Sequence, residues 1–269
     1  MVPYSPASTP LRLACIGVTL GAIFAASARP ARAQPPAAAT DLPRPVLVEL
    51  FTSEGCSDCP PADALLAELD KRQVVGDAQV IVLSEHVTYW NHQGWRDPFS
   101  FDAIDERQQE YARSLGVSDV YTPQMVVDGT EQFVGSNVAK LQSALDTEAA
   151  KPKVPVRIEN AHAEPDGAVA FSVHLPADTK GSLVAAVAED ATVTQVSRGE
   201  NAGRTLHNVA VVRVLKEFNA NVGDGRPLEL KGSDLAAAEK DGTPLRLVVF
   251  LARHSGDRVL GAAEQALRP

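Results

Sequence analysis

Cysteine is scarce in this chain: three among 269 residues, at positions 15, 56 and 59. A closed zinc site needs four ligands, and there is no second Cys-x-x-Cys to help supply them. Basic residues are also short, 25 Lys and Arg against 34 Asp and Glu, for a net charge of −9. That balance argues against nucleic acid or an anionic membrane as a partner, since both want a basic face. The sequence has no glycine-rich phosphate loop, no nucleophile elbow and no internal repeat. Its Glu and Asp pairs are too scattered to support a hydrolase. No apolar run reaches the roughly 20 residues of a membrane-spanning helix.

What is present begins with a targeting pattern. Leu13 to Ala26 is apolar except for Thr19, follows Arg12, and precedes Ala31-Arg32-Ala33, with Ala26-Ser27-Ala28 as a second small-x-small site. Residues 1–33 therefore read as a secretory signal peptide; a retained anchor is the other reading. Cys15 precedes most of the apolar run, which argues against a lipoprotein. Cleavage after Ala33 removes Arg12, Arg29 and Arg32 and takes the net charge from −9 to −12. The chain is then expected to be periplasmic or secreted, free of membrane and cofactor, with Cys56 and Cys59 as its remaining cysteines. A lone close pair in that compartment is expected to oxidise at least part of the time.

Residues 34–45, rich in Pro and Ala without a hydrophobic period, read as a linker. Residues 46–51 form a short buried-strand run, and Pro60-Pro61 opens a helix whose apolar face is Leu65, Leu66 and Leu69. Residues 80–83 are a second buried strand. Phe101, Ile104, Tyr111 and Leu115 share a helical face that Gly116 ends. Residues 124–127 and 132–134 form a hairpin about Asp128-Gly129, and Ser136 is expected to cap a helix carrying Val138, Leu141 and Leu145. The order β-α-β-α-β-β-α over residues 46–150 predicts an α/β domain, a mixed sheet with flanking helices. After Lys151 the segments 154–158, 168–173, 183–187, 209–214 and 245–251 are strand-like, with one short alanine-rich stretch near 234–239. Residues 151–269 are accordingly predicted as a β-rich, β-sandwich-like C-terminal domain.

Cys56-Ser57-Asp58-Cys59 lies at the first strand-to-helix junction. A helix N-terminus presents unpaired amides and partial positive charge, both of which stabilise a thiolate. Cys56 is then the exposed nucleophile, and Cys59, one turn on, the partner that resolves a mixed disulfide. An inert staple explains the spacing poorly, since so short a loop removes only about 2 kcal/mol of unfolded-chain entropy. Glu54 and Asp58 flank Cys56 and oppose its ionisation, which predicts a reducing couple rather than a strong oxidant. A soft-metal site of Cys56, Cys59 and His86 stays open as an alternative, although no metal site is assigned.

Residues 48–63 (VELFTSEGCSDCPPAD), 84–91 (SEHVTYWN), 94–100 (GWRDPFS), 121–129 (YTPQMVVDG) and 198–207 (RGENAGRTLH) together resemble a family of exported bacterial thioredoxin-like proteins classed as a domain of unknown function. The resemblance implies a thioredoxin-like fold and brings no substrate. The wider thioredoxin superfamily implies a cis-proline beside the dicysteine centre, a position that Thr122-Pro123 matches, with the Thr122 backbone pairing to an extended substrate. Gly55 stands where classical thioredoxins carry tryptophan before the first cysteine, and Ser57-Asp58 replaces their Gly-Pro. Residues 86–97 then read as a lid or an enlarged substrate rim.

Trp90 and Trp95, with Tyr89, Asn91 and His92, are candidates to line a cleft over the cysteines, or else they pin a loop. Arg96 and Asp97 read as a local ion pair. Glu200, Asn201, Arg204, His207 and Asn208 form a polar cluster that either reaches the first domain and binds a ligand, with Arg204 the candidate, or is a solvated loop. Three functions are compatible with these residues. One is a thiol–disulfide oxidoreductase acting on exported proteins or small thiols with an unidentified redox partner. The second is a binding module using Cys56 and Cys59 as copper or zinc ligands or as a static bridge. The third is an assembly component docked through the β-rich half.

Overall fold

The structure, a computed structural model, describes residues 43–164, 166–231 and 243–267, with Met1 and Leu235. Apart from Met1, the expected signal peptide lies outside the described residues. So do the linker before Pro43 and, except for Leu235, the stretch 234–239.

Strand β1 (Arg44–Thr52) is buried along most of its length, and its side chains alternate between two helices. Leu50 faces Ala62 of helix α1 (Pro60–Arg72), both packing about Gly135. Phe51 lies edge-on to Tyr111 of helix α2 (Asp102–Leu115) at 6.1 Å. Because successive strand side chains point to opposite faces, α1 and α2 cover opposite sides of the sheet. Between α1 and α2 run β2 (Val74–Val75) and β3 (Ala78–His86). β3 pairs parallel to β1 from Arg44 opposite Ala78 to Thr52 opposite His86, so both strands end at one edge. β4 (Gln124–Val127) runs antiparallel to β1, β5 (Glu131–Val134) antiparallel to β4, and helix α3 (Val138–Ala149) follows. Gly116 ends α2 in the left-handed conformation, and its amide donates to Ala112 O. Asn137, not Ser136, caps α3: its Oδ1 accepts from Lys140 N at 3.0 Å. Asn supplies the same side-chain acceptor one residue nearer the helix.

Four of the strands after residue 150 join the first sheet instead of building one apart. β8 (Ser182–Gln195), β9 (Thr205–Asn219), β11 (Leu245–Ala252) and β12 (Val259–Ala266) continue the first sheet, whose order is β12-β11-β8-β9-β3-β1-β4-β5, with β2 pairing to β3. β9 meets β3 in parallel at Ser84 opposite Val211. β6 (Arg157–Ala163), β7 (Val169–His174) and β10 (Asp224–Leu230) form a separate three-stranded sheet. The boundary expected at 150/151 therefore runs through a nine-stranded sheet, and residues Leu42–Pro269 form one compact unit. The physical reason lies in β8 and β11. Leu183, Ala185 and Val187 join a core with Phe171 and Val173 of the small sheet, whereas Val184, Ala186 and Ala188 join the core of β1 and β3. A strand covered on both faces is apolar without alternation, unlike a sandwich strand with one wet face. The fold is thus a mixed α/β architecture on a central mixed sheet with few helices.

Candidate functional site

β1 ends at Thr52, and α1 starts at Pro60; the seven intervening residues carry both cysteines. Cys56 and Cys59 are disulfide-bonded, with Cα atoms 5.5 Å apart. Cys59 is the residue that caps α1, and its carbonyl accepts the amides of Ala62 (2.8 Å) and Asp63 (3.1 Å). The expected free helix amides are therefore missing. Pro60 and Pro61 have no N–H, and the next two amides are engaged, so the helix end offers its dipole but no donor to a sulfur anion.

The second departure concerns access. Cys56 is 1% exposed and Cys59 0%, whereas Cys56 was expected to be open to solvent. The cover comes from two sides. On one, Trp90 packs on Gly55, where an added Cβ would sit 3.2 Å from the Trp90 Cβ, and the indole N–H donates to Thr122 Oγ1 at 2.7 Å. On the other lies the tip of the long β8–β9 hairpin. The Asn201 amide group donates to Glu54 O and Cys56 O, each at 2.9 Å, and Glu200 Oε2 accepts from Ser57 N–H at 3.1 Å. Arg204 Nη1 donates to Asn201 Oδ1 at 3.0 Å and fixes which way that amide points. The two covers meet at Gly94 and Gly199, both at positive φ; an added Cβ on Gly94 would lie 3.3 Å from the Gly199 Cα.

Beneath the loop that carries the disulfide sits a buried set of titratable groups. His86, the last residue of β3, hydrogen-bonds through Nδ1 to Asp97 Oδ2 at 2.7 Å. The same oxygen accepts Glu54 N–H at 2.8 Å, and Asp97 Oδ1 accepts Phe99 N–H at 2.9 Å. Burial disfavours the Asp97 charge, but His86 and these amides outweigh it and hold its pKa below the ordinary value. Burial likewise opposes the imidazolium, yet Asp97 raises the His86 pKa. Glu54 accepts from Trp95 Nε1 at 2.9 Å, and burial raises its pKa, with Thr194 acting in the opposite sense. Asp63, in the first turn of α1, accepts the Thr52 hydroxyl at 2.7 Å, and burial pushes its pKa up to about 7. Two buried atoms of this set, Glu54 Oε1 and His86 Nε2, have no hydrogen-bond partner. Among the described residues no three His, Cys, Asp or Glu side chains converge to hold a metal ion.

A family model described as Protein of unknown function (DUF1223) matches residues 47–251, which takes in the disulfide, both covers and the buried set. The chain belongs to that family. It is similar to a protein of Agrobacterium tumefaciens seen in a crystal structure: 30% identity, TM-score 0.60, covering 82% of this chain and 93% of that one. HBP35 of Porphyromonas gingivalis is similar in fold, with 16% identity and TM-score 0.53 over 84% of this chain and 76% of that one. No curated protein matches the chain.

Most of the residues singled out from the sequence of this family member meet at one sheet edge. Cys56, Cys59, His86, Trp90, Trp95 and Thr122 are linked by the contacts above. The Thr122–Pro123 peptide bond is cis. Pro123 O accepts Gly135 N–H at 2.9 Å, and Gly135 packs tightly there: an added Cβ would sit 2.7 Å from Leu50 Cδ1, 3.0 Å from Ala62 Cβ and 3.3 Å from Pro123 Cβ. Trp90 and Trp95 act as part of the cover, each spending its N–H on a buried-side partner, rather than as walls of an open cleft. Asp97 is buried and pairs with His86, not with the exposed Arg96. Arg204 touches Asn201 and not the cysteines, while His207 is exposed and takes no part in the cover. Of the two expectations for the polar cluster, reaching the first domain is the one that Asn201 and Glu200 meet, while sequence reasoning missed Asp63 and the pairing of Asp97 with His86. Asn201 and Glu200 did stand in a dense polar cluster, but their partner lies some 145 residues away, and nothing local announces it.

Proposed function

We propose that this chain is an exported, thioredoxin-like thiol–disulfide oxidoreductase whose exchange-active couple is Cys56–Cys59. The observation that carries the reading is the disulfide at the junction of β1 and α1, with Trp90 touching both Gly55, just before Cys56, and Thr122 of the Thr122-Pro123 segment. In the reducing direction the Cys56 thiolate attacks one sulfur of a substrate disulfide. The substrate S–S bond breaks, a mixed disulfide forms at Cys56, and the departing substrate thiolate takes up a proton. Cys59 then attacks Cys56 Sγ, restores the Cys56–Cys59 bond and releases the second substrate thiol. Two electrons pass from the dithiol to the substrate, and a second dithiol, the redox partner, recharges the couple by the same exchange.

The direction follows from the surroundings of the sulfurs. With no free helix amide and with Glu54 and Asp63 close to the loop, little stabilises a thiolate. That favours a reducing couple, well below the roughly −120 mV of a strong oxidant. The substrates are exported proteins or small thiols of the periplasm or the extracellular medium, reached after removal of residues 1–33. The test is reduction of the insulin disulfides by the purified protein with a chemical dithiol as electron source. Cys56→Ser is expected to abolish it; unchanged turnover in Cys56→Ser refutes the assignment.

A further inference from the structure

Attack on a disulfide requires the incoming sulfur to approach along the S–S axis, and here both sulfurs are closed to solvent. One cover must move before any exchange. The loop from Trp90 to Asp97 is anchored by five bonds, the two to His86 and Glu54 N–H buried and the rest partly so: Asp97 to His86, Glu54 and Phe99, and the two indole N–H groups to Thr122 and Glu54. The hairpin tip is held to the disulfide loop by two bonds from Asn201 and by Glu200, which lies in solvent and accepts from the Ser57 backbone and side chain. Of the tip, Asn201 is buried while residues 199, 200 and 202–204 are exposed, whereas Trp90, Asn91, Trp95 and Asp97 of the other cover are partly or fully buried; local opening follows the more exposed segment, which is the hairpin tip.

What the tip covers is itself informative. It satisfies two backbone carbonyls, of Glu54 and Cys56, and one backbone N–H, of Ser57. When the tip swings away, that edge presents two acceptors and one donor beside the sulfur. An extended peptide main chain carries the matching N–H and C=O groups; a small thiol carries few of them. We propose that the β8–β9 hairpin tip, residues 199–204, is a latch over the disulfide, standing in the place of a substrate polypeptide that displaces it. This inference rests on the redox reading of Cys56 and Cys59 and specifies its substrate as a polypeptide segment. Asn201 is the positioning residue of the latch, oriented by Arg204. A peptide compensates for the broken bonds as it binds, whereas a small thiol waits for spontaneous opening. The latch thereby selects polypeptides by rate.

Two measurements on the full mature protein separate the claims. In the first, the protein is reduced and Cys56 alkylated by iodoacetamide, followed by mass spectrometry. Asn201→Ala is expected to speed alkylation roughly ten-fold or more, the factor set by losing about two hydrogen bonds that hold the closed form. Glu200→Ala, which alters only an exposed side chain, is expected to give a smaller increase in the same direction, so the test survives if Asn201→Ala misfolds. Equal alkylation rates in wild type and both variants overturn the latch. In the second, the oxidised protein is opened by glutathione or by a longer single-cysteine peptide. Asn201→Ala should raise the glutathione rate more than the peptide rate; an equal rise in both overturns the polypeptide assignment. If alkylation accelerates but neither thiol opens the disulfide in any form, the latch stands and the exchange reading falls.

Discussion

Replacing Asp63 with Asn should make the protein more stable, and more so the higher the pH. Asp63 is buried in the first turn of α1, where its one side-chain hydrogen bond comes from Thr52. Burial raises its pKa from 3.8 to about 7, a rise that the Thr52 hydroxyl and the charge on His86 only partly oppose. For a carboxyl whose folded pKa is raised, the ionised form is disfavoured by folding. The penalty is absent below the unfolded value, grows as pH rises above 3.8, and is complete above about 7. At about 1.4 kcal/mol for each pH unit between the two values, the full penalty comes to a little over 4 kcal/mol, and relaxation around the charge makes about 2 to 4 the working range. Asn keeps an acceptor for Thr52 and never ionises. Urea unfolding of wild type and Asp63→Asn at about pH 4, 6 and 8 reads the effect as a stability difference that widens with pH. A difference that stays flat between pH 4 and pH 8, or an Asn variant equally destabilised throughout, refutes the claim that a buried carboxyl is forced to ionise beneath the disulfide loop.

Two further perturbations test other buried charges. Arg107 of α2 donates to Glu49 Oε1 at 2.6 Å and to Tyr111 OH at 2.7 Å, and lies 3.5 Å from Glu85. Arg107→Met should cost about 3 to 5 kcal/mol, since it strands the Glu49 charge next to a second buried carboxyl. Chemical denaturation checks it, and a loss under about 1 kcal/mol contradicts it. Asp97→Asn should destabilise most between about pH 4 and 6.5, where carboxylate and imidazolium coexist. His86 has a raised folded pKa, so the stability of the pair is full below the unfolded value near 6.5 and fades as pH climbs through the folded one. A loss that grows toward alkaline pH instead would reverse the assigned charge states.

Much of the fold was legible because local periodicity carried it. The apolar runs of β1 and β3, the Pro60-Pro61 start of α1, the Gly116 stop of α2 and the Asp128-Gly129 turn all encode elements within a few residues. β10 and β12 escaped notice because Gly225 and Pro227 interrupt one and alanines dilute the other. The join of the C-terminal strands to the first sheet was not legible either. The uninterrupted apolar runs at 183–187 and 247–251 were its one trace, since only burial on both faces calls for them. At the site, the cysteines, His86, the tryptophans and Thr122-Pro123 stood out as compact motifs. The closure of the disulfide did not, because it depends on a hairpin whose length and register place Asn201 above Cys56. Those are set by the pairing of β8 with β9 and of β9 with β3, which no short window encodes.

The central claim is that Cys56 exchanges disulfides with other molecules. Cys59→Ser removes the resolving sulfur, so a mixed disulfide formed at Cys56 should persist. The direct measurement is non-reducing electrophoresis with mass spectrometry of this variant isolated from its native compartment. The account predicts thiol-reversible adducts through Cys56, absent from the protein that also carries Cys56→Ser. Recovery of the Cys59→Ser protein as a free thiol, with no adduct at Cys56 even after challenge with a peptide disulfide, would contradict it.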